Sequence, residues 1–231
     1  MKTLLLFDID GTLLLTGGAG KIAFEQAFDE LFEVPNAWRD LDPHGKTDPA
    51  IFDEVSQREL GRLLTPGEFD LLMERYEEIF EELIQISPRF ELMPGVPRLL
   101  DHLSRDKSIF LALGTGNFER AGRLKLKRGA VEHYFITGGF GNDARERHKI
   151  LDAAVAFSEE HARTKFGKEN IFVIGDTEYD IAAAKKAGLR SIAVLTNGRT
   201  RKSFENDPPE HILPDLSDIS AFMACLGNAS K

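Results

Sequence analysis

Leu4-Leu5-Leu6-Phe7-Asp8-Ile9-Asp10-Gly11-Thr12 is the stretch on which the reading of the fold turns. Four apolar residues in a row, without polar alternation, fit a strand buried on both faces, the kind that parallel sheets use. The run ends at a carboxylate, and Gly11 lets the chain turn sharply after Asp8 and Asp10. Working outward, residues 108–113, 171–174 and 191–195 have the same apolar character, and 135–136 is a further short strand. Helical stretches lie between them at 96–103, 118–127, 150–161 and 179–187. Strands alternating with helices predict right-handed βαβ units, hence an α/β fold with a parallel sheet flanked by helices.

Residues 16–94 break that rhythm and contain no convincing strand. Phe24, Phe28, Leu31 and Phe32 recur at helical spacing. Asp48 reads as an N-cap with Pro49 at the first helical position. Thr65-Pro66-Gly67-Glu68 has the form of a capping box, and Phe69, Leu72, Met73, Tyr76, Phe80 and Leu83 then mark one apolar face of a long helix. The expectation is an all-helical domain over 16–94, inserted into a sheet domain made of 1–15 and 95–231. Thr16-Gly17-Gly18-Ala19-Gly20 would be its flexible entry, and Met93-Pro94-Gly95 the hinge back.

Composition narrows the classes. The chain has 231 residues, 42% hydrophobic and 29% charged, with a formal net charge of −9. Nucleic-acid binding relies on lysine and arginine neutralising phosphates, so so acidic a chain is not read as a nucleic-acid binder. The single cysteine, Cys225, has no internal partner for a disulfide and reads as a core residue of the last helix. The apolar run before Asp8 is too short for a signal peptide or a membrane span, so a cytoplasmic protein without a membrane partner is expected. In that setting the glycosylation-like triplet Asn228-Ala229-Ser230 carries no weight.

Three of the apolar runs end in polar residues of one kind. They are Asp8-Ile9-Asp10, then Gly114-Thr115-Gly116-Asn117, then Gly175-Asp176-Thr177-Glu178-Tyr179-Asp180. Ligands of open parallel sheets bind beyond the carboxyl ends of the strands, so Asp8, Asp10, Thr115, Asp176 and Asp180 should gather at one edge. Asp8 and Asp10 are two apart and, in an extended chain, would point the same way. Carboxylates so close repel one another unless a cation lies between them. Four such groups make an oxygen-rich cage suited to magnesium, so Asp8, Asp10, Asp176 and Asp180 are the candidate metal residues.

These motifs, in this order and each after a strand-like run, resemble those of the haloacid dehalogenase superfamily. Asp8-Ile9-Asp10-Gly11-Thr12-Leu13 is similar to its first motif, Thr115 to its second and Gly175–Asp180 to its fourth. The stretch 138–147 resembles the phosphoglycolate-phosphatase-like branch, and the insertion resembles that superfamily's helical cap. The third motif needs a basic residue before a helix. Arg147 is the first choice and Lys149 the second, and the family's common lysine-proline pair is absent.

The resemblance implies a magnesium-dependent phosphatase with a Rossmann-like sheet domain and a small phosphorylated metabolite, phosphoglycolate-like or a sugar phosphate, as substrate. It implies Asp8 as nucleophile, forming an aspartyl-phosphate, and Asp10 as acid and then base. Magnesium would be held by Asp8, the Asp10 backbone carbonyl and Asp176, with Asp180 in support. Thr115, Gly116, Asn117 and the basic residue would hold the phosphoryl oxygens. Lys46 and His44, in the cap sequence His44-Gly45-Lys46-Thr47-Asp48, are candidates for substrate contact, while Thr47 and Asp48 equally suit a helix cap. The alternative within the superfamily is a phosphomutase of the β-phosphoglucomutase type. A more distant one is a non-catalytic phospho-acceptor signalling module. A monomer or weak homodimer is expected.

Overall fold

The computed structural model describes residues 2–227, so the Asn228-Ala229-Ser230 triplet lies outside the described residues. The chain opens with strand β1 (Thr3–Phe7), then β2 (Leu14–Leu15) and the helices α1 (Ala19–Phe32), α2 (Asp48–Leu60) and α3 (Pro66–Ile86). Strand β3 (Glu91–Leu92) leads to α4 (Val96–Ser104), β4 (Ile109–Gly114), α5 (Glu119–Arg128), β5 (Thr137–Gly139) and α6 (Arg147–Ala162). The chain continues through β6 (Ile171–Gly175), α7 (Glu178–Ala187), β7 (Arg190–Val194), β8 (His211–Leu213) and α8 (Ile219–Gly227).

Six strands form one sheet in the order β5-β4-β1-β6-β7-β8, and every pairing in it is parallel. Strand β1 shows why the apolar run is continuous. Leu5 and Phe7 pack on one face with Val96, Leu99, Leu103, Phe172 and Phe222. Leu4 and Leu6 pack on the other with Ala112, Leu151, Ala154, Val173 and Ala184. Both faces are covered by helices, so neither set of alternate side chains is left for water. The register puts Phe7 opposite Leu113 on one side and Ile174 on the other. Asp8, Gly114 and Gly175 therefore lie at one level, and the three polar motifs leave the sheet at a common edge.

The helices α1, α2 and α3 form a second layer above that edge, a helical cap. Phe24, Phe28, Phe52, Tyr76 and Phe80 are buried in its own apolar cluster. That cluster does not end at the cap. Phe118, from the segment between β4 and α5, is 1% exposed and lies 5.1 Å from Phe52 and 6.3 Å from Tyr76, ring centre to ring centre. Ala121 and Leu124 of α5 belong to the same cluster. Removing a buried phenylalanine side chain costs about 3–5 kcal/mol, so Phe118 is a substantial part of what holds the cap on the sheet domain.

Several expectations are corrected. The insertion does contain a strand, because β3 pairs antiparallel with β2 in a two-residue ribbon below the cap. A strand that short shows no periodicity. The strand expected at 135–136 falls instead at Thr137–Gly139, where two glycines remove the apolar signature. The edge strand β8 was not expected at all; it is three residues long and only Leu213 is buried. Asp48 is not the N-cap of α2. Thr47 is, its hydroxyl accepting from the Ala50 amide at 3.3 Å, which frees the Asp48 carboxylate. The Thr65–Glu68 capping box of α3 is present as read, and Cys225 is buried in α8.

Candidate active site

Where β1 stops, the chain turns at once. The amides of Leu13 and Leu14 both donate to the Ile9 carbonyl, and Gly11 adopts a φ of 78°. A side chain at Gly11 would also collide with Asp176, since a Cβ there would sit 2.4 Å from its Oδ2. The period of two therefore lapses after Phe7, and the two aspartates part company. Asp8 turns toward β6, whereas Asp10 turns toward α5.

On the first side, single carboxylate oxygens of Asp8, Asp176 and Asp180 lie within 4.8 Å of one another, and all three residues are buried. Asp180 also closes a capping box at the start of α7. Its Oδ2 accepts from the Thr177 hydroxyl at 2.7 Å and from the Thr177 amide at 3.1 Å. Arg147, the first residue of α6, reaches into the group, with Nη2 2.8 Å from Asp8 Oδ1 and 2.6 Å from Asp180 Oδ1. Burial pushes the Asp8 carboxyl up to about 7, against the pull of Arg147. Burial, with Asp180 and Asp8 alongside, raises Asp176 to about 8.

Both oxygens of Asp176 are buried without a hydrogen-bond partner. An unpaired buried carboxylate is costly, and with Arg199 Nε still 3.9 Å from Asp176, a further cation bound here would offset that cost. The donor set is all oxygen, which suits a hard dication such as Mg²⁺, and Gly11 leaves the room beside Asp176 open. The residues present fit the metal.

On the second side, Asp10 Oδ2 accepts from Asn117 Nδ2 at 2.8 Å and from Lys125 Nζ at 2.6 Å. The same Asn117 nitrogen donates to Thr115 Oγ1 at 2.8 Å. The Asp10 carboxylate thus stands apart from the three clustered carboxylates, contrary to the expectation that the Asp8 and Asp10 side chains would point the same way; the expected contact through the Asp10 backbone carbonyl is unaffected. The cap meets this side directly. The Asp48 amide donates to the Gly116 carbonyl at 2.8 Å, and Asp48 Oδ2 accepts from the Phe118 amide at 2.8 Å. Only a residue without a side chain fits there, because a Cβ at Gly116 would lie 2.9 Å from the Lys46 carbonyl and from Thr47 Cα. Burial raises the Asp48 carboxyl to about 6, with Lys125 opposing.

A cavity of about 370 Å³ lies between sheet edge and cap. Asp8, Asp10, Thr115, Gly116, Asn117, Arg147 and Asp176 line its floor, and Phe24, Trp38, Phe52 and Tyr76 line its roof, with His44 and Lys46 also at its wall. Lys46 Nζ is 2.5 Å from Glu54 Oε2, and His44 Nδ1 is 2.5 Å from Asp42 Oδ1. Lys149 is not brought to the site. Its ammonium is exposed and pairs with Glu146 at 2.6 Å, one turn back on the outer face of α6. Of the two basic residues considered, only Arg147 touches Asp8, because the two are separated by roughly 200° around a helix of 3.6 residues per turn.

Lys125 was missed by the sequence reading. It is 5% exposed. The available signal was a lysine on the buried stripe of α5, four residues after Ala121 and beside Leu124 and Leu126.

A family model described as haloacid dehalogenase-like hydrolase matches residues 5–194. A phosphoglycolate phosphatase of Synechococcus elongatus is 26% identical over 220 residues, covering 93% of this chain and 94% of that protein. A mitochondrial (DL)-glycerol-3-phosphatase of Arabidopsis thaliana is 29% identical over 154 residues, 65% of this chain and 49% of that protein. The crystal structure of a β-phosphoglucomutase from Clostridium difficile superposes with a TM-score of 0.73 at 14% identity, covering 98% of each chain. At that identity the last similarity speaks for the fold alone. With the sheet, the cap and the gathered motifs on one side, and a family match across most of the chain on the other, this protein belongs to the haloacid dehalogenase-like hydrolase family.

Proposed function

We propose that this protein hydrolyses a small phosphomonoester through an aspartyl-phosphate on Asp8, with Mg²⁺ held by Asp8 and Asp176. The observation that carries the reading is the orphaned pair of Asp176 oxygens beside a buried Asp8, at the floor of the cavity between sheet edge and cap. An Asp8 carboxylate oxygen attacks phosphorus as the bond from phosphorus to the leaving oxygen breaks, giving an acyl phosphate. Asp10 gives its proton to the leaving oxygen and later takes one from the water that attacks the intermediate, so that inorganic phosphate leaves and both aspartates are restored. Thr115 and the amides beyond β4 bind phosphoryl oxygens, and Arg147 holds Asp8 and Asp180 in place. Bound Mg²⁺ would supply positive charge that offsets the repulsion between Asp8 and the phosphoryl group. The cap excludes water and meets the leaving group.

The names of the two relatives support a small phosphate ester as substrate class. The test is release of inorganic phosphate from a panel of phosphomonoesters with Mg²⁺, using wild type and Asp8→Asn. The variant is expected to fold and to lose turnover by on the order of 10³-fold or more. Wild-type-like turnover by Asp8→Asn would overturn the assignment. Transfer of phosphate between two positions of one sugar, with little free phosphate released, would favour a mutase instead.

A further inference from the structure

Lysine is among the residues least often fully buried unless paired, yet Lys125 is 5% exposed. Helical side chains lean toward the N-terminus of their helix. The Lys125 stem accordingly runs back along α5 toward Asn117, and its ammonium is 2.6 Å from Asp10 Oδ2 and donates to Asn117 Oδ1. Asn117 Nδ2 closes the set by donating to the same Asp10 oxygen at 2.8 Å. The other flank of the ammonium belongs to the cap, where the Phe80 ring centre is 5.8 Å away and Asp48 stands close enough for Lys125 to favour its charged form. The Asp10 carboxylate is thus gripped at one oxygen by two donors, in a pocket walled by both layers of the protein. A carboxylate left free to rotate would not keep hydrogen-bond reach of the proton it must move.

We infer that Lys125 is a positioning residue that fixes the Asp10 carboxylate for proton transfer. The inference rests on the proposed role of Asp10 as acid and base, and the experiment separates the two. Lys125→Met keeps the length of the stem and removes the ammonium. The substrate is para-nitrophenyl phosphate, whose leaving group needs no proton, followed on the stopped-flow timescale with Mg²⁺ present. We expect a rapid first release of para-nitrophenolate equal to the enzyme concentration, followed by turnover about 100-fold below wild type with KM little changed, since proton transfer by a positioned side chain contributes that much. Asp10→Asn should behave alike, and the double variant should lose nothing further, because the two residues act as one unit.

Wild-type turnover by Lys125→Met alongside a slow Asp10→Asn would overturn the role of Lys125 while leaving that of Asp10 standing. So would a raised KM with kcat unchanged, or full additivity in the double variant. Wild-type turnover by Asp10→Asn would overturn the acid–base assignment itself. Thermal melting and near-ultraviolet circular dichroism check folding. If Lys125→Met does not fold, Lys125→Gln takes the same measurement, and failure of both to fold makes Lys125 a structural counter-ion and ends the proposal.

Discussion

Two flanks of one catalytic edge are balanced in opposite ways. On the β6 side, among the described residues, Asp8 and Asp180 are met by Arg147 and Asp176 by Arg199 at 3.9 Å. On the α5 side, Asp10 and Asp48 are met by Lys125, the Asn117 amide group and the Phe118 N–H. The first flank leaves buried oxygens without partners and asks for a cation from solution. The second offers its two carboxylates the chain's own donors, one ammonium and neutral N–H groups, although burial still raises Asp48 to about 6. That difference separates the place proposed for a metal from the place proposed for a proton, within a few residues of sequence.

That contrast can be broken at the hungry flank first. Asp176→Asn removes a carboxylate with two orphaned oxygens, and we expect the Mg²⁺ concentration for half-maximal activity to rise at least ~10-fold, measured by metal titration of phosphate release. An unchanged requirement would mean that Asp176 holds no metal. The variant should fold, since an amide removes a buried charge.

A smaller effect sharpens the comparison through pH. The Asp8, Asp176 and Asp48 carboxyls are raised from 3.8 to about 7, 8 and 6. A group whose folded-state value is raised holds its proton more tightly when folded. Its stabilising contribution is complete below the unfolded value and disappears as pH rises through the folded one. The metal-free protein should therefore melt lower at about pH 8 than at about pH 5 through these groups, by a few degrees for each kcal/mol lost in a chain of this size. Mg²⁺ should restore more of the melting temperature at the higher pH, where Asp8 and Asp176 are more ionised. Calorimetry at both values, with and without Mg²⁺, reads the difference, and a Mg²⁺ effect independent of pH would count against it. The smallest expected effect is at Lys149, whose exposed pair with Glu146 belongs to neither flank. Lys149→Ala should leave kcat within about twofold, since an exposed surface pair contributes little.

The parallel sheet was legible because strands buried on both faces must be apolar nearly throughout, and 4–7, 171–174 and, after Ser191, 192–195 are. Motif spacing then placed Asp8, Thr115 and Asp176 at one edge, since register follows once parallel neighbours start together. The long cap helix was equally plain from its capping box and apolar stripe. Short elements were not: β2, β3 and β8 have two or three residues each, too few for any period to show.

Sequence by itself determined which polar motifs end the strands and that they converge, because strand ends and carboxylates are local features. Only tertiary structure decided how those residues divide. The turn at Gly11 sends Asp8 and Asp10 to different neighbours, helix phase brings Arg147 inward and leaves Lys149 in solvent, and cap closure buries Lys125 beside Asp10. Each of those outcomes depends on which side chain from a distant part of the chain arrives to share a charge, and spacing along the sequence holds no record of that.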